Sequence, residues 1–459
     1  MLFGCSSLTP EKPLAFAHKL DRTNAVALEK SDEQLERWSS SFGDPGVAKT
    51  IAYVLSQNLD FSQARLRVEQ SRFFAAQAQS RMYPRGIAGA DASRNRSSEN
   101  ERPVVQSSAN SMTNRYAMDV IASWELDLFG RLRQAARAAD RRAEASIWDA
   151  EAMRLTLGVE AARRAIDIRA LQAHTQLAME AVELESDFLA VVEARQRGGL
   201  VSQVDVLRAR AQLEASLAGL ERLNSSLVDS FQALAILAST STDNARALIG
   251  QGGLPEAVGL QTFASTSSDV LRRRPDVRAA EARLGAASAD LASAVAERFP
   301  RINLLASVGL VASGLGGLTQ ASAPFSSVSS SLRWSIFDGG ELESLIESRR
   351  VSEKIALLAF NQALISAFAD SDAALQRVAA RESELRVTRA AAATQLEAWR
   401  LAKLQYEKGG GDLTIALEAR RLVNSIERDR LNSQQALLIA MIESFRAIGS
   451  VESLPKNGG

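Results

Sequence analysis

Two similar stretches decide the fold: RGGLVSQVDVL at residues 197–207 and KGGGDLTIAL at residues 408–417. Each contains adjacent glycines, which readily adopt the positive φ angles of the turns that end helices. Each also follows a polar–apolar run without proline that is long enough for about 100 Å of helix. We therefore expect each stretch to reverse a very long helix into a partner helix. The predicted pairs are 131–196 with 203–238 and 341–406 with 413–448.

The two turns belong to a tandem duplication. Trp124 and Trp334 are 210 residues apart, and the glycines of the two turns have the same separation. Upstream, the aromatic–proline corners at 83–84 and 299–300 are 216 residues apart. Two constant offsets indicate two copies of one unit. The predicted organisation is an N-terminal segment at 1–46, a first repeat at 47–250, a linker at 251–267, a second repeat at 268–450 and a tail at 451–459.

Each repeat begins with a helix, at about 47–82 and 268–298, and then changes to an apolar–polar alternation with a period of two. The alternation is typical of strands with one apolar and one polar face, and each is about 11 residues long, as a membrane-spanning strand is. The alternative is an amphipathic hairpin packed on a soluble core. The predicted strands lie at about 84–95, 115–128, 301–312 and 326–337.

Trp124 and Trp334 fall at the alternate positions that carry the apolar side chains of the predicted strands. Both lie where a strand is followed by a helix. This is the position of an aromatic girdle in a strand-built membrane protein. We therefore expect both side chains to face lipid near the periplasmic edge of the membrane.

Composition excludes several classes of function. The 54 basic and 54 acidic residues leave no basic excess, which argues against a nucleic-acid partner. Two histidines and one cysteine are too few for a His/Cys metal site or an activated thiol. The glycine-rich stretches lack the Lys-Ser/Thr of a phosphate loop, and no catalytic constellation stands out, so we expect no metal and no enzyme. The arginine triplet at 272–274 is interpreted as a solvated helix face.

The start of the chain resembles a lipoprotein processing site. LFGC at 2–5 has a small residue before the cysteine, and SSLTP follows as a flexible tether. A secretory signal needs a basic segment and an apolar core before that point, so we interpret the start as a shortened signal and expect a covalent lipid on Cys5. The alternative is a stray thiol. No window of about 18 apolar residues predicts a transmembrane helix.

Three phrases, together with both tryptophan strands, resemble the TolC-like outer-membrane efflux proteins. They are SDVLRRRPDVRAAEARL (268–284), ERFPRINLLASVGL (297–310) and GLVSQVDVLRARAQ (199–212). The RRRPD phrase and the Cys5 site are closer to the NodT-type lipoprotein branch, which serves pumps of the resistance-nodulation-division class.

The resemblance implies an α+β membrane protein. Three chains would form a homotrimer, each giving four strands to a twelve-stranded outer-membrane barrel continuous with a periplasmic helical barrel. Independently, four amphipathic strands cannot close a barrel alone, so oligomerisation is expected. The implied function is an exit duct for small toxic molecules, fed by an inner-membrane pump through a periplasmic adaptor. The alternatives are a duct for metal ions or for type I protein secretion, and a periplasmic coiled-coil adaptor.

The resemblance also implies roles for particular residues. The far turns would meet the adaptor, at Gly199, Leu200, Val201 and Ser202 and at Gly409, Gly410, Gly411 and Asp412. Asp205 matches an acidic gate residue, Tyr406 the tyrosine that bonds to it, and Glu418 an acid of the constriction. Gly411 stands where some members have an arginine, so that charged link is missing here.

Overall fold

The computed structural model describes residues 38–96, 112–256, 274–408 and 413–448. The helices are α1 (Pro45–Gln57), α2 (Leu59–Ser80), α3 (Arg131–Arg197), α4 (Gln203–Leu237), α5 (Thr242–Ile249), α6 (Pro275–Ala296), α7 (Glu341–Glu407) and α8 (Leu413–Ile448). The strands are β1 (Arg85–Arg96), β2 (Met112–Leu126), β3 (Arg301–Ala312) and β4 (Pro324–Arg333), and a short 3-10 helix covers Leu315–Thr319. No helix in these described ranges is long and apolar enough to cross a membrane.

The chain forms two compact units that do not coincide with the two repeats. The first unit takes Val68–Ser146 and Ala280–Phe360 among its residues, and the second takes Ile147–Ala279 with the described residues before 68 and after 360. Each unit therefore draws on both repeats, as expected when duplicated elements pack on one another rather than on themselves. The long helices α3 and α7, of 67 residues each, contribute to both units.

The first unit contains an antiparallel sheet in the order β1-β2-β3-β4. Its register aligns Ala88 with Val120 and Val120 with Val308, so residues of one parity share a face across the strands. That face carries Met118, Val120 and Val308, all about half exposed. The opposite face carries mainly charged, glycine and serine residues: Arg85, Gly89, Asp91, Asp119, Ser123, Glu125, Asn303, Ser307, Ser327, Ser329 and Ser331. The structure thus has the two-faced strands that the alternation predicted.

Close backbone approach at the middle of the sheet requires a glycine. A Cβ atom at Gly309 would stand 2.3 Å from the Met118 carbonyl oxygen and 2.8 Å from the Asp119 Cα. Gly309 pairs directly with Asp119, which pairs on its other side with Gly89. Glycines on both sides therefore leave room around the Asp119 carboxylate on the polar face.

The second unit is built on an apolar core. Trp38 stacks on Phe445 with ring centroids 4.2 Å apart and meets Phe42 edge to face at 5.1 Å. Ile51 of α1, Ile166 of α3 and other aliphatic side chains of the same cluster are fully buried around these rings. The core joins residues that are far apart in sequence.

The first helix of repeat one is interrupted, where the sequence predicted a single helix at 47–82. Asn58 separates α1 from α2: its backbone N–H donates to the Val54 carbonyl, and its side-chain oxygen accepts from the Phe61 N–H at 2.9 Å. Its side-chain amide donates to the Leu237 carbonyl at 2.9 Å. One asparagine therefore ends one helix, caps the next and ties both to α4.

Arg274 corrects the interpretation of the arginine triplet as a solvated face. Its guanidinium is buried at the start of α6, where it pairs with Asp276 at 2.8 Å. It also donates to the Ala447 carbonyl at 2.8 Å and the Ala367 carbonyl at 3.3 Å. A planar guanidinium can satisfy several acceptors at once, so Arg274 joins three segments. The other two arginines of the triplet lie outside the described residues.

Candidate functional site

The turn between α3 and α4 is a glycine-terminated helix end. Gly199 has φ of +71°, its N–H donates to the Gln196 carbonyl at 2.9 Å, and the Leu200 N–H reaches back to the Arg195 carbonyl at 2.9 Å. This six-to-one bond is typical of a Schellman motif. It leaves Leu200 76% exposed, while Val201 turns inward. The turn thus presents an apolar side chain to its surroundings.

Next to this turn, side chains of α3 and α4 contact each other. A small cluster of Val192, Val206 and Ala209 is buried between them. The Arg210 guanidinium pairs with the Glu193 carboxylate at 3.1 Å across the outside of the same turns. The hairpin is therefore held together up to its end.

Asp205 takes part in the N-terminal cap of α4. Ser202 is the N-cap, its side chain accepts from the Asp205 N–H, and the Asp205 carboxylate accepts from the Ser202 N–H at 3.0 Å and hydroxyl at 2.8 Å. These bonds to Ser202 lower the pKa of Asp205 below its usual value. The arrangement is a capping box, and it engages the carboxylate with its own helix end.

The predicted hydrogen bond between Asp205 and Tyr406 is not present in the structure. The Tyr406 hydroxyl instead accepts a hydrogen bond from the Arg195 guanidinium. The Arg195 Cζ also lies 5.2 Å from the centre of the Tyr406 ring, as in a cation–π contact. Within one chain Asp205 bonds to Ser202, because it occupies the third position of α4, where its nearest donors belong to that residue.

The rest of the second turn is only partly described. Gly409, Gly410, Gly411 and Asp412 lie outside the described residues, as does Cys5. Glu418, on the first turns of α8, has an exposed side chain. The structure therefore brings Tyr406 to the first turn, through Arg195, and leaves the adaptor role of the second turn as a prediction.

The two tryptophans make the same hydrogen bond in the two repeats. The Trp124 indole donates to the Met82 carbonyl at 2.9 Å, and the Trp334 indole donates to the Arg298 carbonyl at 3.0 Å. Both rings remain partly exposed, at 38% and 54%. Trp334 follows β4, which ends at Arg333, so this strand is shorter than the predicted 326–337. Each indole thus anchors the base of a strand hairpin to the end of the preceding helix.

Further exposed aromatic residues lie next to the ends of the strands in the sequence. Phe129 stacks on Phe299 with centroids 4.7 Å apart, and Tyr83 and Phe337 are exposed by more than half. Amphipathic or apolar rings at strand ends suit the interface between lipid and water. Sequence analysis singled out only the tryptophans, although the position of Phe129 just after β2 could have been noticed.

Candidate metal ligands are the His, Cys, Asp and Glu side chains of the residues that the structure describes. Within them, no group of three or more His, Cys, Asp or Glu side chains could hold a metal ion. Among the buried charged side chains, Arg169 is paired with Asp44 and Arg274 with Asp276, and both also donate to backbone carbonyls. Arg169 and Arg274 therefore hold together segments that are distant in the sequence.

Comparison with known proteins agrees with this architecture. The family model for outer membrane efflux proteins matches residues 50–239 and 266–450. The probable efflux pump outer membrane protein SepC of Pseudomonas putida is 27% identical over 417 residues, covering 90% of this chain and 85% of its own.

Solved structures give the same answer. The outer-membrane channel OprN has a TM-score of 0.80 at 26% identity and covers 90% of this chain and 92% of its own. The open state of the Neisseria gonorrhoeae MtrE outer membrane channel has a TM-score of 0.75 at 27% identity, with 89% of each chain covered. With both repeats matched by the family model, the chain belongs to the outer membrane efflux protein family.

Proposed function

We propose that this protein is the outer-membrane exit duct of a tripartite efflux pump and that it conducts small toxic molecules passively to the exterior. One observation carries the proposal: the four-stranded sheet exposes an apolar face and has two open edges. Within the described residues, β1 pairs only with β2 and β4 only with β3. Open strand edges need partners, and an exposed apolar sheet face suits lipid.

A homotrimer supplies these partners. The outer edge of β4 in one copy can pair with the outer edge of β1 in the next, which closes the sheet without new sequence. The long helices carry matching unpartnered stripes. On α2 the exposed side chains Leu59, Leu66 and Phe73 are seven residues apart, and on α7 Val351, Leu358 and Ile365 have the same spacing, with Ile355 four residues after Val351. Such seams are typical of helices that pack against further helices.

The turns at the ends of the helical pairs are proposed as the contact with a periplasmic adaptor, behind which an inner-membrane pump of the resistance-nodulation-division class supplies the energy. Leu200, exposed at the end of the first hairpin, is suited to a small apolar pocket of such an adaptor. Conduction needs no bond making, so the protein is proposed not to be an enzyme. Its relative SepC is itself named as a pump component.

A covalent lipid on Cys5 is part of the same proposal. It is supported by the LFGC phrase and by the presence of one cysteine in the chain. The intact mass of the protein purified from membranes after expression with a complete signal tests it, because acylation adds the mass of its lipid. An unmodified Cys5 in that material would contradict the proposed lipid anchor. It would not bear on the proposed conduction.

The duct itself is tested by conductance in planar lipid bilayers. Purified full-length protein should be a trimer in detergent and should insert as discrete conducting units. A version with Val120→Asp and Val308→Asp places charges on the apolar sheet face and should no longer insert, whereas Ser327→Asp on the polar face should insert as the parent does. Equal insertion of all three proteins would contradict the proposed orientation of the sheet.

A further inference from the structure

We propose that Arg94 and Arg96 bind the phosphate groups of the glycolipid that forms the outer leaflet of the outer membrane. The inference rests on the proposed function, because it uses the proposed orientation of the sheet in the membrane. The two residues are called the rim pair below. They lie at the end of β1, and both side chains are exposed.

The rim pair lies on the sheet face that we propose to contact lipid. Alternate residues of a strand share a face, and Ala88, which has the parity of the rim pair, is paired with Val120 of the apolar face. The earlier residues of this parity on β1 are small and uncharged: Gly86, Ala88, Ala90 and Ala92. On this face of β1, charge therefore appears only at the end of the strand.

The register places the rim pair at the far edge of the apolar face from the tryptophans. Arg94 is paired with Asn114, which precedes Trp124 on β2 by ten residues. Ten residues extend about 34 Å along a strand, or about 26 Å across the membrane when the strand is tilted by about 40°. The apolar band of a membrane barrel is about 25 Å tall. With Trp124 at one interface, the rim pair is therefore level with the headgroups at the other.

The direction of the strands decides which leaflet this is. β1 begins shortly after α2, and β2 ends shortly before α3, so the base of this hairpin leads into helices. In the proposed duct the helical pairs extend to the periplasmic adaptor, and the base of the hairpin is on the periplasmic side. The rim pair is at the opposite end of β1 and therefore faces the outer leaflet. The main lipid of that leaflet is a glycolipid with phosphate groups on its sugars.

The rim pair has no carboxylate partner among the described residues. The Arg94 guanidinium contacts the Met112 Sδ atom at 3.2 Å, and a thioether is only a weak acceptor. In the proposed trimer, β4 of the next chain lies against β1, yet residues 313–333 contain no aspartate or glutamate. Closing the sheet therefore brings no acidic partner from this segment, and the two guanidinium groups stay available to an anion of the lipid.

The second repeat shows that a strand of this kind does not need the two arginines. β1 and β3 have 12 residues each and begin at Arg85 and Arg301, so they have the 216-residue offset of the aromatic–proline corners. The same offset places Leu310 and Ala312 at the positions of the rim pair. The two cations are therefore a property of the first repeat, and a trimer would carry the rim pair three times.

The chemistry of arginine favours a phosphate as the ligand. A planar guanidinium donates two parallel hydrogen bonds to phosphate oxygens, and its apolar stem can lie along the lipid face while the charged group reaches the headgroups. Residues two positions apart on a strand are separated by about 7 Å. The rim pair can therefore hold one phosphate between two guanidinium groups or bind two neighbouring phosphates.

The test is the binding of lipid A, the phosphorylated part of this glycolipid, to the full-length protein in a neutral detergent, measured by native mass spectrometry. The parent should bind one molecule tightly per chain. Arg94→Gln with Arg96→Gln should weaken binding at least about tenfold, because each arginine near an anionic lipid surface contributes about fivefold. Arg115→Gln is the matched control: Arg115 is paired with Ser93 at the same end of the hairpin but lies on the polar face.

Two further lipids identify the chemical group. Dephosphorylated lipid A should bind the parent at least about tenfold more weakly than lipid A, for the same loss of charge contacts. Phosphatidylglycerol should also bind more weakly, because it carries a single charge. Equal binding of lipid A and its dephosphorylated form would contradict the inference without any variant, and equal binding of phosphatidylglycerol would contradict the assignment to the glycolipid. Equal losses in the double variant and in Arg115→Gln would mean that net charge, and not the rim pair, attracts the lipid.

Failure of this inference can be told apart from failure of the duct. Planar bilayers of neutral phospholipid contain no glycolipid, so the double variant should insert and conduct there as the parent does. Its thermal unfolding without glycolipid should also match that of the parent, which controls for folding. If the parent does not conduct, the proposed function is wrong, whatever lipid it binds. If the parent conducts but the double variant binds lipid A as tightly as the parent, the inference about the rim pair is wrong.

Discussion

Arg169 and Asp44 form a two-point ion pair in the core of the second unit, with Nε to Oδ2 at 2.6 Å and Nη2 to Oδ1 at 2.9 Å. The same guanidinium donates to the carbonyls of Ile249 at 2.9 Å and Gly250 at 3.3 Å, where α5 ends. A Cβ atom at Gly252 would stand 2.6 Å from Arg169, so the chain passes close against the side chain. This pair therefore ties the start of α1 to the end of α5 across α3.

Replacing Arg169 should destabilise the protein strongly. Arg169→Met removes a buried cation and leaves Asp44 charged without its partner, a change that costs about 3–5 kcal/mol in the free energy of unfolding. Arg164→Met is the matched control, because its pair with Glu160 is nearly half exposed and should contribute less than about 1 kcal/mol. Thermal or denaturant unfolding of the two variants measures the difference. Equal losses would mean that the Arg169 pair is not buried as described.

His174 should make stability depend on pH near neutrality. Burial lowers the pKa of His174 from 6.5, and the charge of Arg428 acts in the same direction, while the bond with Asn432 opposes them. Below pH 6.5 the unfolded chain therefore binds a proton that the folded chain does not, so stability falls as the pH falls towards the folded pKa.

The variant His174→Gln isolates this effect. Glutamine keeps an amide towards Asn432 and does not titrate, so the decline in melting temperature between pH 7 and pH 5 should be smaller than in the parent. Acidic groups such as Asp44 titrate further down the scale and are common to both proteins. An unchanged pH profile would show that His174 is protonated freely in the folded state.

Gly309 should resist substitution, while a second strand glycine should tolerate it. Gly309→Ala drives a methyl group into the backbone of β2, and we expect a loss of about 1–3 kcal/mol or a poorly assembled sheet. Gly86→Ala is the control, because a Cβ atom there has no neighbour within 4 Å. The yield of heat-resistant oligomer from membranes compares the two. A normal yield for Gly309→Ala would contradict the close approach of β2 and β3.

Trp124 and Trp334 should report the position of the lipid interface. Single-tryptophan variants that keep one of them should be quenched by lipids brominated near the headgroup, because both rings are partly exposed at strand ends. A variant that keeps only Trp38 should not be quenched, since this ring is buried between Phe42 and Phe445. Absence of quenching for both Trp124 and Trp334 would mean that the strand ends that carry them do not lie at the membrane interface.

The long helices and the strands could be predicted because their signals are local. Proline-free runs, glycine turns and a period of two are read within a window of the sequence, and the predicted run from 341 to 406 differs from α7 by one residue at its end. The break at Asn58 was missed because an asparagine, rather than proline or glycine, produces it. The short helix α5 was missed because its eight residues after a cap at Ser241 make only about two turns, too few for a helical period to be recognised.

Contacts between distant residues could not be predicted in the same way. Arg195 and Tyr406 are 211 positions apart, and sequence spacing to the turns suggested Asp205 equally well. The burial of Arg274 depends on the carbonyls of Ala367 and Ala447, which no local pattern reveals. Charge in a sequence therefore indicates that a partner is needed but does not identify it.

The duplicated indole bond has a consequence for how the protein can evolve. In the first repeat 42 positions separate donor and acceptor, and in the second 36, yet the bond is the same. The base of each strand hairpin is thus fixed while the length of chain above it is free to change. The two repeats of this chain show that a hairpin longer or shorter by six residues can be built on the same joint between strands and helices.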